Sequence, residues 1–194
     1  MSKRLLKFAF LVVSFCCFVT ASSKAEAYPS FRYHSRESSC IYHLAADINP
    51  FENLLTLEDG SQWKIASYDY FELLSWRLRD HLVITPNNYF SDFTYYITNQ
   101  ETGSYVRANL VNSPIRGGPY TVMISGLDQN TDFKGCIYLN NNTFWSVSQN
   151  DLPLIRNWEV DDLVIMGKNN EWFSSNTHII INIHTNTFVR VRKL

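Results

Sequence analysis

The chain is poor in the residues that mark specialised classes. Seven glycines and six prolines in 194 residues are too few for a collagen-like repeat or a low-complexity disordered tail, and four cysteines are too few for a disulfide-dense mini-protein. Neither sign of charge is in excess. The 17 basic and 18 acidic side chains leave a net charge of −1, so nothing electrostatic argues for nucleic acid or an anionic membrane. Several motifs are also missing. There is no His-Glu-x-x-His, no P-loop glycine run, no Gly-x-Ser-x-Gly and no Cys-x-x-Cys, which leaves zinc-protease, phosphate-cradling, nucleophile-elbow and dithiol chemistry without a carrier. No cofactor is expected.

What is present begins at the N-terminus. Lys3, Arg4 and Lys7 precede an apolar stretch from Phe8 to Val19, followed by the small-residue site Ala25-Glu26-Ala27. This is the layout of a secretory signal peptide spanning residues 1–27. An anchoring helix needs about 20 apolar residues, and this stretch is shorter. Cys16-Cys17 does not read as a lipid-attachment site, because neither cysteine follows a small residue. Removing Lys3, Arg4, Lys7 and Lys24 with a single acid, Glu26, leaves an acidic chain. No later segment is long and apolar enough to span a bilayer as a helix. The expected product is exported to the periplasm, the cell surface or beyond. Cys40 and Cys136 remain, and in an oxidising compartment they form a candidate disulfide. The alternative is two buried thiols, since a bridge requires Cα atoms within bridging distance.

The strongest signal is an internal duplication. Leu57-Glu58-Asp59-Gly60-Ser61-Gln62-Trp63-Lys64-Ile65 aligns, 82 residues on, with Leu139-Asn140-Asn141-Asn142-Thr143-Phe144-Trp145-Ser146-Val147. At the same offset Asp69 meets Asp151, Trp76 meets Trp158, Asp80 meets Asp162, and Asn87-Asn88 meet Asn169-Asn170. After one inserted residue, Ile97, Asn99, Thr102, Val106 and Arg107 meet Ile180, Asn182, Thr185, Val189 and Arg190. Asp59-Gly60 becomes Asn141-Asn142 and Thr102-Gly103 becomes Thr185-Asn186. Gly and Asn best tolerate the positive φ of tight hairpins.

Each copy therefore reads as hairpin, short helical turn, strand and second hairpin. Asp69 followed by Glu72 is a capping box, and Asp151 precedes Leu152-Pro153. Ile179, Ile181 and Ile183 alternate with His178, Ile180, Asn182 and His184, which predicts a strand. The expected fold is all-β, with two tandem copies of a small five-stranded barrel, SH3-like or OB-like, and one short helical turn in each. Residues 28–52 read as an N-terminal extension, 53–110 as repeat 1, 111–135 as a connector with a strand from Tyr120 to Ile124, and 136–194 as repeat 2.

The pattern Leu-Glu-Asp-Gly-Ser-Gln-Trp63, then Trp76-x-Leu-x-Asp80 and Val83-Ile84, then Asn99-x-x-Thr-Gly103 resembles exported hypothetical proteins of chlamydiae and related intracellular bacteria. The likeness covers residues 53–194. It implies export and a duplicated small barrel, and it assigns no chemistry.

Recurring residues read as architecture. Trp63, Trp76, Trp145 and Trp158 are assigned to the two cores, Asp69 and Asp151 to helix caps, and Asp80 and Asp162 to turns before a strand. His178 and His184 would lie about 20 Å apart along a strand, too far to share a metal. The segment Tyr89-Phe90-Ser91-Asp92-Phe93-Thr94-Tyr95-Tyr96 is different. Five aromatics in eight residues exceed what one strand face buries, and the second copy has Trp172-Phe173 nearby. Tyr89, Phe90, Phe93, Tyr95, Tyr96, Trp172 and Phe173 are therefore the candidate ligand-binding residues. The function expected is a non-enzymatic binding or interaction module of the bacterial envelope, taking a protein or cell-wall glycan partner and no nucleic acid. A secreted hydrolase using His81, Asp92 and Glu171 between the repeats is the alternative. A small outer-membrane barrel is a lesser one, disfavoured by the absent C-terminal aromatic and by the short strands.

Overall fold

The computed structural model describes residues 41–88, 91–129 and 135–194, which belong to one compact unit. Strands β1 (His43–Asn49), β2 (Leu54–Leu57), β3 (Gln62–Ile65), β4 (His81–Pro86), β5 (Tyr95–Asn99) and β6 (Tyr105–Asn112) close an antiparallel barrel in the order β1-β2-β3-β6-β5-β4. Strands β7 (Thr121–Asp128), β8 (Cys136–Leu139), β9 (Phe144–Val147), β10 (Leu163–Lys168), β11 (His178–Asn182) and β12 (Thr187–Lys193) close a second with the equivalent order. Each barrel thus has six strands, not five. The sixth comes from residues read in the sequence as extension and connector. In β1 the pairing with β2 is interrupted by a bulge between Ala45 and Asp47, and in β7 by one between Ile124 and Gly126. An extra residue breaks the period-2 alternation by which a strand is recognised.

The duplication extends to individual hydrogen bonds. The indole N–H of Trp63 donates to Ser61 Oγ and that of Trp145 to Thr143 Oγ1. Trp76 donates to Ser104 Oγ, and Trp158 to Thr187 Oγ1. All four tryptophans are buried, as expected of core residues. Gly60 and Asn142 take φ of 84° and 62°, and Gly103 and Asn186 take 74° and 52°, which explains why only Gly and Asn alternate there. Arg79 and Asp161 occupy the same left-handed region, at φ 70° and 73°, just before Asp80 and Asp162. Those two aspartates are turn residues as read: Asp80 Oδ2 accepts from the Arg77 amide and Asn99 Nδ2, and Asp162 Oδ2 accepts from the Glu159 amide and Asn182 Nδ2.

The reading of Asp69 and Asp151 is corrected. Both stand at the N-caps of short helices, α1 (Tyr70–Leu74) and α2 (Leu152–Ile155), but neither makes a side-chain cap bond. Their carboxylates are committed to arginines on the last strand of each barrel, an interaction described with the site below.

The two barrels share a core. β1 pairs with β4 only at His43–Leu82 and Leu44–His81, and β7 pairs with β10 only over Leu163–Ile165. β4 and β10 lie against one another, with Gly167 beside Ile84. Ile165, Ile179 and Ile181 of the second barrel join the buried cluster of the first, which includes Trp63, Ile84, Tyr95 and Ile97. Ile180, Val164 and Met166, of opposite parity, fill the second barrel's own interior. All five residues of β11 are consequently buried, and His184 lies beyond the strand, exposed. Gly167 permits the approach: a Cβ built on it would lie 2.7 Å from the Ile84 carbonyl oxygen. Buried His43 adds a polar link, with Nε2 2.8 Å from the Met166 carbonyl and Nδ1 3.2 Å from Glu58 Oε1.

Cys136 begins β8, half-buried. Cys40, and with it the disulfide expectation, lies outside the described residues, as does the signal segment 1–27. Among the described residues no helix is long and apolar enough to cross a membrane.

Candidate functional site

Strand parity divides the aromatic segment. Tyr95 faces inward at 1% exposure, its ring edge-on to Trp63 at 5.5 Å and tilted against Phe188 at 5.8 Å. It belongs to the core and presents nothing to a ligand. Burial pushes its phenol well above the ordinary value, and its hydroxyl has no hydrogen-bond partner among the described residues. Tyr96 faces outward, half-buried and edge-on to Tyr105 at 5.2 Å. Phe93 is half-buried and edge-on to Tyr68. Tyr89 and Phe90 lie outside the described residues. Trp172 and Phe173, on the β10–β11 loop, are 84% and 98% exposed and stack edge-on at 5.7 Å. Phe173 is held at φ 66°, a region costly for a residue with a Cβ.

Two open clefts of about 380 Å³ each meet at Tyr96. One is walled by Asn88, Tyr96, Asn170, Glu171 and Trp172. It brings together the β4–β5 loop of the first barrel and the β10–β11 loop of the second, joined by Asn170 Nδ2 donating to the Pro86 carbonyl at 3.2 Å. The duplicated Asn-Asn pair therefore places amides from both barrels beside two aromatic rings. The other cleft has Tyr68, Phe93 and Tyr96 as its aromatic walls and Asn87, Ser91, Asp92 and Arg107 as its polar ones.

Arg107 donates to Asp69 from its backbone N–H, Nε and Nη2 at 2.8, 3.1 and 2.9 Å. Its guanidinium lies 4.3 Å over the Tyr68 ring, a cation–π geometry. Arg190 grips Asp151 through the same three donors and donates from Nη1 to Glu171 as well. The Asp151 bonds raise the Arg190 guanidinium further above its already high range; burial opposes this and Glu171 adds to it. Glu58 is also perturbed. Burial raises it, but the His43 hydrogen bond and charge and the Leu44 amide outweigh that and hold its carboxyl below the usual value.

The hydrolase candidates have separate surroundings. His81 bonds Glu101, Glu171 bonds Arg190, and Asp92 lines the Arg107 cleft. Among the described residues no hydrogen bond joins any two of the three. Among the described residues no three His, Cys, Asp or Glu side chains lie close enough to hold a metal ion. The site residues that sequence reading missed are Tyr68, Asn87, Asn88, Ser91, Arg107 and Asn170. The recurrence of Arg107 as Arg190, each matched by a recurring aspartate, was the signal available for the arginine. The chain matches no protein-family model, no curated protein and no solved structure.

Proposed function

We propose that this protein is an exported binding module of the bacterial envelope, which holds its partner across the surface formed by Tyr96, Trp172 and Phe173. The observation that carries this reading is the Trp172-Phe173 tip. Two large aromatics stand almost wholly in solvent, one of them in a strained backbone conformation, and both costs need a compensating gain in function. Of the two partner classes, the cleft chemistry favours a glycan. Aromatic faces stack on sugar rings, and the Asn88 and Asn170 amides and the Glu171 carboxylate supply donors and acceptors at their edges. The signal-peptide layout of residues 1–27 and the resemblance to exported proteins support the address.

Intrinsic fluorescence tests the reading. Soluble cell-wall glycan fragments titrated into the protein are expected to quench the exposed Trp172 saturably, and Trp172→Phe is expected to abolish the change. An unaltered spectrum at saturating fragment would overturn the glycan reading. N-terminal sequencing of the protein recovered from its native cell tests the address, with Tyr28 expected as the first residue. An intact Met1 would contradict export by cleavage.

A further inference from the structure

The duplication places one arginine in two surroundings. Arg107 and Arg190 sit at equivalent points of β6 and β12 and hold equivalent aspartates through the same three donors. They differ at Nη1. In the second barrel this group donates to Glu171, the residue after Asn169-Asn170. In the first barrel the residue after Asn87-Asn88 is Tyr89, so no acid stands at that place in the sequence. Among the described residues, Asp69 is the one carboxylate hydrogen-bonded to the Arg107 guanidinium, and Tyr68 is its other side-chain partner.

The walls differ as well. Where the first barrel has Tyr68, Phe93 and Tyr96 around its arginine, the equivalent positions of the second are Asn150, Asn176 and Ile179. Ile179 is buried between the barrels, whereas Tyr96 lines the open cleft. The Arg107 side chain is 32% exposed, so it is partly shielded from water yet open to a ligand. A partly exposed guanidinium, held from behind by a single carboxylate and flanked by aromatic rings in an open cleft, is suited to an anionic oxygen pair.

We propose that the Arg107 cleft binds a carboxylate group of the ligand, in the place that the Glu171 carboxylate fills in the second barrel. The proposal rests on the binding reading above and extends it to a second, charged subsite beyond Tyr96. Asp92 is the opposing charge. It lines the same cleft, and its side chain makes no hydrogen bond among the described residues. Its repulsion weakens any carboxylate bound at Arg107.

The test follows the side-chain Nε–H resonances of Arg107 and Arg190 in the ¹⁵N-labelled protein. The probes are sodium acetate, N-acetylglycine and glucuronate, with sodium chloride at matched ionic strength as the control. The carboxylates are expected to move Arg107 saturably and leave Arg190 unmoved, and chloride is expected to move neither. A stronger response to N-acetylglycine assigns the carboxylate to a peptide terminus, and one to glucuronate assigns it to an acidic sugar. Asp92→Asn, at an exposed position, is expected to tighten acetate several-fold. Glu171→Ala is expected to make Arg190 respond as Arg107 does. An unresponsive Arg107 in both the unmodified protein and Asp92→Asn, alongside an Arg190 that responds in Glu171→Ala, would overturn the proposal. Glycan quenching of Trp172 would survive that outcome, so loss of the charged subsite is distinguishable from failure of the binding reading.

Discussion

Replacing Tyr95 with Phe deletes one oxygen from the centre of the shared core and leaves the ring in its contacts with Trp63 and Phe188. The Tyr95 hydroxyl is buried without a hydrogen-bond partner among the described residues, and stranding such a group costs about 1–3 kcal/mol. Removing it opens a space smaller than a methyl group, which returns part of that gain, so Tyr95→Phe is expected to stabilise the fold by about 1 kcal/mol. In a chain of this size that corresponds to a rise in Tm of about 2–4 °C. The pH dependence gives a second handle. Because the folded-state phenol is raised above its ordinary 10.0, its contribution is fully present below that pH. Above it the unfolded chain ionises first and stability falls. The Phe variant lacks this alkaline loss from position 95. Urea unfolding at neutral pH and above pH 10 measures both effects. Destabilisation of the Phe variant by more than about 1 kcal/mol would show that the hydroxyl is bonded, and would refute the reasoning.

Arg79→Gly is expected to stabilise by about 0.5–1 kcal/mol in the same assay, since a left-handed non-glycine residue costs about 1–2 and glycine's greater unfolded freedom offsets part of that; a loss of stability would mean the Arg79 side chain contributes more than its backbone costs. Gly167→Ala is expected to destabilise by about 1–3 kcal/mol, because its Cβ meets the backbone of Ile84 and overpacking cannot be relieved there by a flexible side chain; an unchanged unfolding midpoint would show that the barrels separate easily. Glu58 titrates below its ordinary 4.5 in the folded state, so its contribution is present above that value and fades as pH falls through the lower one. Glu58→Gln is therefore expected to flatten the acid limb of the stability–pH curve, and an unchanged limb would count against the His43–Glu58 interaction.

What was legible in the sequence is what local chemistry encodes. The Asp59-Gly60 and Asn141-Asn142 hairpins, the four core tryptophans and the aspartates before β4 and β10 all act within a few residues or recur at a fixed spacing. β1 was harder, because a bulge shifts its alternation, and β7 was read only as far as its own bulge, from Tyr120 to Ile124. The Asp69–Arg107 pair spans 38 residues, and nothing local distinguishes such an aspartate from a helix cap. Alternation separated Tyr95 from Tyr96 but could not say which of them faced the core. The burial of β11 on both sides depends on a second barrel meeting it across the chain, which no window of residues contains. For the site, Trp172 and Phe173 were recognisable as an aromatic pair. Their meeting with Tyr96 and Asn88 follows only once β4 lies against β10.

Co-sedimentation with isolated peptidoglycan, comparing the unmodified protein with Trp172→Ala/Phe173→Ala, tests the central claim most directly. Both substitutions lie at exposed positions and are expected to leave the urea midpoint unchanged. The account predicts that the unmodified protein pellets with the wall material and that the folded double variant stays in the supernatant. Equal pelleting of the two, or the unmodified protein remaining in solution, would contradict it.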